Sequence, residues 1–179
     1  MSQIGSIYGQ ALYGLAKDDG ISDVILQQLT VLDQSFREEP QFLRLLSAPN
    51  LAVQERCGII DQCFRGKVHQ YVLNFLKLLT EKGVIKSFSA CFNSYVEQYN
   101  EDHNILPVTA VTAVALSEEQ TKRLTDKLSA ITGKYIAINN RIDPECLGGV
   151  RLDYDGKRID GSVANRLESV RNLLKNTVL

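Results

Sequence analysis

The hydrophobic spacing of this chain changes character once, at Pro107. Before it, apolar side chains recur at three- and four-residue intervals, as on the buried face of amphipathic helices. After it, β-branched runs and tight-turn residues take over. Proline disfavours helix at the residue before it, so the polar segment from Glu101 to Leu106 reads as a junction. The chain is therefore expected to be α+β. An all-α part spans residues 1–104 and a small mixed part spans 105–179.

The first part reads as a six-helix bundle. Tyr8, Ala11, Leu12 and Leu15 share a face of the first helix, which Asp18-Asp19-Gly20 ends. Ser22 is placed to cap the second, in which Val24, Ile25, Leu29, Leu32 and Phe36 recur. A short third helix precedes the break at Ala48-Pro49-Asn50, and a fourth runs from Leu51 to Phe64. The fifth, Val68 to Glu81, carries a wide stripe including Tyr71, Phe75, Leu76 and Leu79 and stops at Lys82-Gly83. The sixth covers about Ile85 to Asn100. Gly9 and Gly14 should each weaken the first helix by up to about 1 kcal/mol.

The second part has the order β-α-β-β-β-α. Val108 to Val114 is β-branched and predicts a strand. Ser117 with Gln120 three residues on is a capping box for a helix carrying Leu124, Leu128 and Ile131. Tyr135, Ile136 and Ile138 predict a second strand. Asp143-Pro144 and Gly148-Gly149 make a turn. Val150 to Tyr154 alternates as a half-buried strand does, Asp155-Gly156 suits a two-residue hairpin, and Lys157-Arg158-Ile159 returns. Asp160-Gly161-Ser162 breaks the strand, and Ser162 is placed to cap a final helix.

Composition narrows the function. A 44% apolar and 23% charged chain is an ordinary globular one, and its net charge of -1 argues against general attraction to nucleic acid or anionic membrane. No stretch is long and apolar enough to insert directly into a membrane. The start, MSQIGSIYGQ, reads as neither a secretory signal nor an Arg-rich transit segment. Cys57, Cys63, Cys91 and Cys146 fit no metal spacing and read as reduced thiols. His69 and His103 are isolated, and no G-x-S-x-G accompanies them. Acidic pairs such as Asp18-Asp19 and Glu118-Glu119 sit at helix ends as solvated caps. Gly148-Gly149 lacks both nucleotide-loop patterns. No catalytic, cofactor or metal residue is assigned.

The segments Asp143-Pro144, Leu147-Gly148-Gly149-Val150-Arg151, Ile159-Asp160-Gly161-Ser162-Val163 and Asn165-Arg166-Leu167 resemble the C-terminal signature of the delta subunit of F-type ATP synthases. The mitochondrial counterpart is the oligomycin sensitivity conferral protein. Tyr8-Gly9-Gln10-Ala11-Leu12 with Leu15-Ala16, and Asn74-Phe75-Leu76-Lys77-Leu78-Leu79 with Gly83, resemble the family's first and fifth helices. Glu145-Cys146 departs from the small and aliphatic pair usual there.

The resemblance implies a non-catalytic stator without cofactors. Its helical domain would bind the N-terminal helix of an alpha subunit through Tyr8, Ala11, Leu12, Leu15, Asn74, Phe75 and Leu78. Its second domain would hold the b subunits of the peripheral stalk. Asp143, Pro144, Gly148, Gly149, Asp160, Gly161, Ser162 and Arg166 would be structural signature residues. The chain would sit on the cytoplasmic side of a bacterial inner membrane, attached through the complex. Two other readings of the residues are a soluble adaptor or transcription regulator that binds a partner's amphipathic helix, and a small enzyme with a site assembled from scattered groups.

Overall fold

Six helices fill the first half of the computed structural model, which describes residues 3–146, 148–161, 163 and 165. They are α1 (Gln3–Asp18), α2 (Ser22–Glu38), α3 (Pro40–Leu46), α4 (Val53–Phe64), α5 (Gln70–Glu81) and α6 (Phe88–Asp102), with a 3₁₀ turn at Ile85–Ser87 before the last. The chain divides into two compact units, Met1–Tyr99 and Asn100–Leu179.

The helical stripes meet in one core. Phe36 of α2 is its aromatic centre, with ring centroids 5.8 Å from Phe42, 6.4 Å from Phe64 and 4.9 Å from Phe88. Such rings gain about 0.5–1.5 kcal/mol per pair beyond the area they bury. The buried Asp33 carboxylate is satisfied on both oxygens: Ser89 Oγ of α6 donates to it at 2.5 Å, and Arg37 lies 2.7 Å away. A buried charge left unpaired would be costly, so this contact pins α2 to α6.

Two glycines set the distance between α1 and α6. A Cβ on Gly5 would lie 2.7 Å from Ala90 Cβ, and one on Gly9 would lie 2.3 Å from the Cys91 carbonyl oxygen. No side chain fits there. Gly14, by contrast, faces open space. Burial pushes the Cys91 thiol up to about 11, so that cysteine is packing material rather than a nucleophile. All four cysteines are free thiols.

Some boundaries differ from the sequence expectations. Ser22 does not cap α2; Ile21 occupies the N-cap with no side-chain bond, and the Ser22 carbonyl accepts from the Tyr95 hydroxyl at 3.0 Å. Helix α5 begins at Gln70, two residues later than its apolar stripe, because His69 turns its Nδ1 to accept from the Tyr71 N–H at 3.2 Å. The His69 N–H in turn donates to Gln28 Oε1 at 2.7 Å.

In the second unit, β1 (Ile105–Thr112) is followed by α7 (Glu118–Thr132), β2 (Tyr135–Ile142), a 3₁₀ turn at Pro144–Cys146, β3 (Val150–Tyr154) and β4 (Lys157–Asp160). The sheet order is β2-β1-β3-β4. The β1–β2 pair is parallel and the other two are antiparallel. Helix α7 makes the parallel crossover, and its Leu124 and Leu128 pack with Val108, Ala110 and Leu152. Its capping box is formed: Gln120 N donates to Ser117 Oγ at 3.2 Å, and Ser117 N donates to Gln120 Oε1 at 2.9 Å.

Strand β1 starts at Ile105, three residues before the expected Val108, and so contains Pro107. A proline N has no hydrogen to donate, but β3 pairs only with Thr109 to Thr112, so that flank of Pro107 lies beyond the ladder. The β3–β4 hairpin turns at Asp155 and Gly156, both with positive φ, as a type I′ turn requires. Of the expected final helix, Val163 and Asn165 are helical; the rest lies outside the described residues.

Candidate functional site: a groove between α1 and α5

Helix α1 presents Tyr8, Ala11, Leu12 and Leu15, and α5 presents Tyr71, Asn74, Phe75 and Leu78. Each set follows the same i, i+3, i+4, i+7 spacing, which is one face of a helix. The two faces line a groove of about 500 Å³. All seven residues expected on helices one and five are in its wall, joined by Tyr71, Lys77 and Glu81. Those three were absent from the expected set, although Tyr71 and Glu81 continue the same face by one turn at either end.

The lining residues do two different things. Leu12 and Phe75 are 4% and 6% exposed, so they form the floor and belong to the core as well. Leu15 and Leu78 are 54% and 38% exposed and form the rims. Helix α5 buries Val72, Leu73, Leu76 and Leu79 on its inner side, so Leu78 is an apolar residue left over after the core is complete. An apolar recess with exposed leucines on both rims suits burial against another apolar helix face.

Polar contacts hold the walls in place. At one end, the Tyr71 hydroxyl donates to Asp19 Oδ2 at 2.5 Å and ties the start of α5 to the end of α1. That bond, with the carboxylate's charge behind it, raises the phenol's pKa. Gln70 Nε2 donates to Asn74 Oδ1 at 2.8 Å. Lys77 Nζ lies 2.6 Å from Asp61 Oδ2 of α4, and Arg65 approaches the other Asp61 oxygen at 3.3 Å.

The Lys77 ammonium holds the Asp61 carboxyl below its ordinary value, partial desolvation opposes this, and Arg65 adds to the lowering. A carboxylate depressed in the folded state contributes stability above its ordinary value and loses it as pH falls through the folded value. The gap in melting temperature between the wild-type chain and Asp61→Asn should therefore be widest near neutrality and close below about pH 4. A gap independent of pH would show that the ion pair contributes nothing.

The C-terminal signature residues gather elsewhere, around the start of β3. Asp143 Oδ1 accepts from Glu145 N at 3.1 Å, and Asp143 N donates to the Thr112 carbonyl at 2.8 Å. Pro144 opens the 3₁₀ turn. Gly148 and Gly149 have φ of 145° and 78°, which side chains rarely adopt. The Gly148 carbonyl accepts from Val163 N at 3.0 Å, and Gly161 N donates to the Val150 carbonyl at 3.1 Å. Asp160 pairs in register with Arg151. These contacts stitch the β2–β3 connection to the segment after β4. Ser162 and Arg166 lie outside the described residues. Among the described residues no group of three His, Cys, Asp or Glu side chains is placed to hold a metal, and no helix is long and apolar enough to cross a membrane.

A helical unit with an apolar groove, joined to a small α/β unit built around backbone stitches, is the architecture of a binding protein with no metal centre among the described residues. The chain belongs to the ATP synthase delta (OSCP) subunit family, whose model matches residues 4–174. It is a non-catalytic peripheral-stalk subunit of F-type ATP synthase. Among its relatives, the ATP synthase subunit delta of Alkaliphilus oremlandii is 30% identical over 96% of both chains. That of Lactobacillus delbrueckii subsp. bulgaricus is 33% identical over 93% of both. The fold is similar to a chain in the mitochondrial ATP synthase hexamer of Toxoplasma gondii, with a TM-score of 0.75 and 16% identity over 97% of this chain and 98% of that one.

Proposed function

We propose that this subunit joins the catalytic head to the peripheral stalk as a stator. The helical part, residues 1–104, acts as a six-helix bundle and takes the N-terminal helix of an alpha subunit into the α1–α5 groove. Tyr8, Ala11, Leu12, Leu15, Asn74, Phe75 and Leu78 contact that helix. The β-α-β-β-β-α part, residues 105–179, holds the end of the b subunits; Asp143, Pro144, Gly148, Gly149, Asp160, Gly161, Ser162 and Arg166 maintain its shape. The subunit works on the cytoplasmic side of a bacterial inner membrane, attached through the complex.

The observation that carries this reading is the groove itself: an apolar floor between two leucine rims. The mechanism is mechanical. Rotation in the central stalk exerts torque on the head, and a link between head and stalk resists it. Such a link needs durable apolar burial with a polar rim, and no reacting group.

The test is calorimetric titration of the full-length chain with a synthetic peptide of the cognate alpha subunit's N-terminus, alongside reconstitution of membranes stripped of this subunit. Saturable one-to-one binding and restored proton pumping are expected. A folded chain that fails to bind the peptide removes the groove from the model. Failure to restore pumping with the partners intact counts against the coupling role.

A further inference from the structure

We infer that Glu81 selects the helix that docks in the groove, by pairing with a Lys or Arg that lies at one end of that helix's apolar stripe. This inference rests on the docking role proposed for the groove and adds the chemistry of the partner.

The groove has two ionisable side chains of opposite sign in its wall, Lys77 and Glu81. Lys77 is already committed to Asp61 at 2.6 Å. Glu81 has no cation within ion-pair distance among the described residues, so it is the carboxylate in the groove wall left to meet a partner's charge. Its position is also unfavourable in the free chain. Glu81 is the last residue of α5, where the aligned peptide dipoles already place partial negative charge. An incoming cation there would meet both the carboxylate and the negative end of the helix.

Spacing sets where that cation must lie. Tyr71, tethered to Asp19, closes the opposite end of the groove ten residues earlier on α5. Ten residues of helix span about 15 Å, close to three turns. The docked helix then carries about three turns of apolar contacts against the leucine rims, followed by its basic residue. A partner with an acidic residue at that point is disfavoured by like-charge repulsion.

The test uses the full-length chain and two synthetic peptides: the N-terminal segment of the cognate alpha subunit, and the same peptide with its Lys and Arg residues replaced by Gln. Glu81→Gln should weaken binding of the first peptide roughly twofold to fivefold at low salt, and Glu81→Lys roughly tenfold. Both losses should shrink with added salt and vanish with the neutralised peptide. Glu81 is exposed, so neither variant should change the melting curve appreciably. If wild type and Glu81→Lys bind the native peptide equally, the inference is overturned while the groove reading stands. If the wild type binds neither peptide, both fall.

Discussion

Gly9→Ala is expected to lower the melting temperature of the helical signal by roughly 5–15 °C, against the usual direction for glycine-to-alanine changes in a helix. Alanine normally gains up to about 1 kcal/mol at such a position by restricting the unfolded chain. Here the new methyl would sit 2.3 Å from the Cys91 carbonyl oxygen and 2.8 Å from Ser94 Cβ. Both neighbours are on α6, and backbone cannot swing aside as a flexible side chain can. Relief requires separating the two helices, which strips contacts such as that between the Tyr13 and Tyr95 rings, 5.2 Å apart. The overpacking cost of about 1–3 kcal/mol, or somewhat more, then exceeds the propensity gain. Gly14→Ala is the matched control on the same helix: it meets nothing within 4 Å and should raise the melting temperature by a few degrees. Thermal melts of the two variants by circular dichroism decide the matter. A Gly9→Ala chain as stable as the wild type would mean that α1 and α6 do not approach so closely.

Phe75→Ala and Leu78→Asp should separate core packing from docking, although both residues line the groove. Phe75 is 6% exposed, and its ring lies 6.4 Å from that of Phe88. Its truncation leaves a cavity worth about 3–5 kcal/mol, a large part of a small domain's stability. Peptide binding would be lost along with the fold. Leu12, at 4% exposed, behaves the same way, and a charge placed there would be buried without a partner. Leu78 stands on the rim at 38% exposed, so Leu78→Asp should leave stability within about 0.5 kcal/mol of the wild type. The same substitution puts a charge where the docked helix must bury apolar surface, and should weaken the peptide at least about tenfold. Denaturant titration and calorimetry on the same samples report the two effects separately. Normal binding by a stable Leu78→Asp chain would exclude the α5 rim from the interface.

The elements themselves were legible because each is specified locally. Helix α7 is delimited by Ser117, Gln120 and Gly133, all within its own sequence. The β3–β4 turn is set by the conformational freedom of Asp155-Gly156. Where reading failed, a distant residue had intervened. Ser22 is a good cap in isolation, yet its carbonyl serves Tyr95 and Ile21 takes the cap position. Pro107 looks like a strand boundary until β3 is seen to stop short of it. Gly9 reads as a helix-weakening residue, whereas its absent side chain is what lets α6 lie against α1.

The groove divides in the same way. Its two apolar faces follow from helical spacing, so Tyr8, Ala11, Leu12, Leu15, Asn74, Phe75 and Leu78 were nameable from sequence and family resemblance alone. Spacing places a residue on a face of its own helix, but does not say what lies across from that face. Packing α1 against α5 buried Leu12 and Phe75 and left Leu15 and Leu78 as rims. Packing α4 beside α5 brought Asp61 to Lys77 and left Glu81 without a cation in ion-pair range among the described residues. Sequence therefore determined the element order, the apolar faces and the family, because these rest on short-range periodicity and turn chemistry. Tertiary structure alone decided which apolar residues of the two faces stay exposed and which of the nearby charged groups are paired, because burial and pairing depend on neighbours far away in the chain.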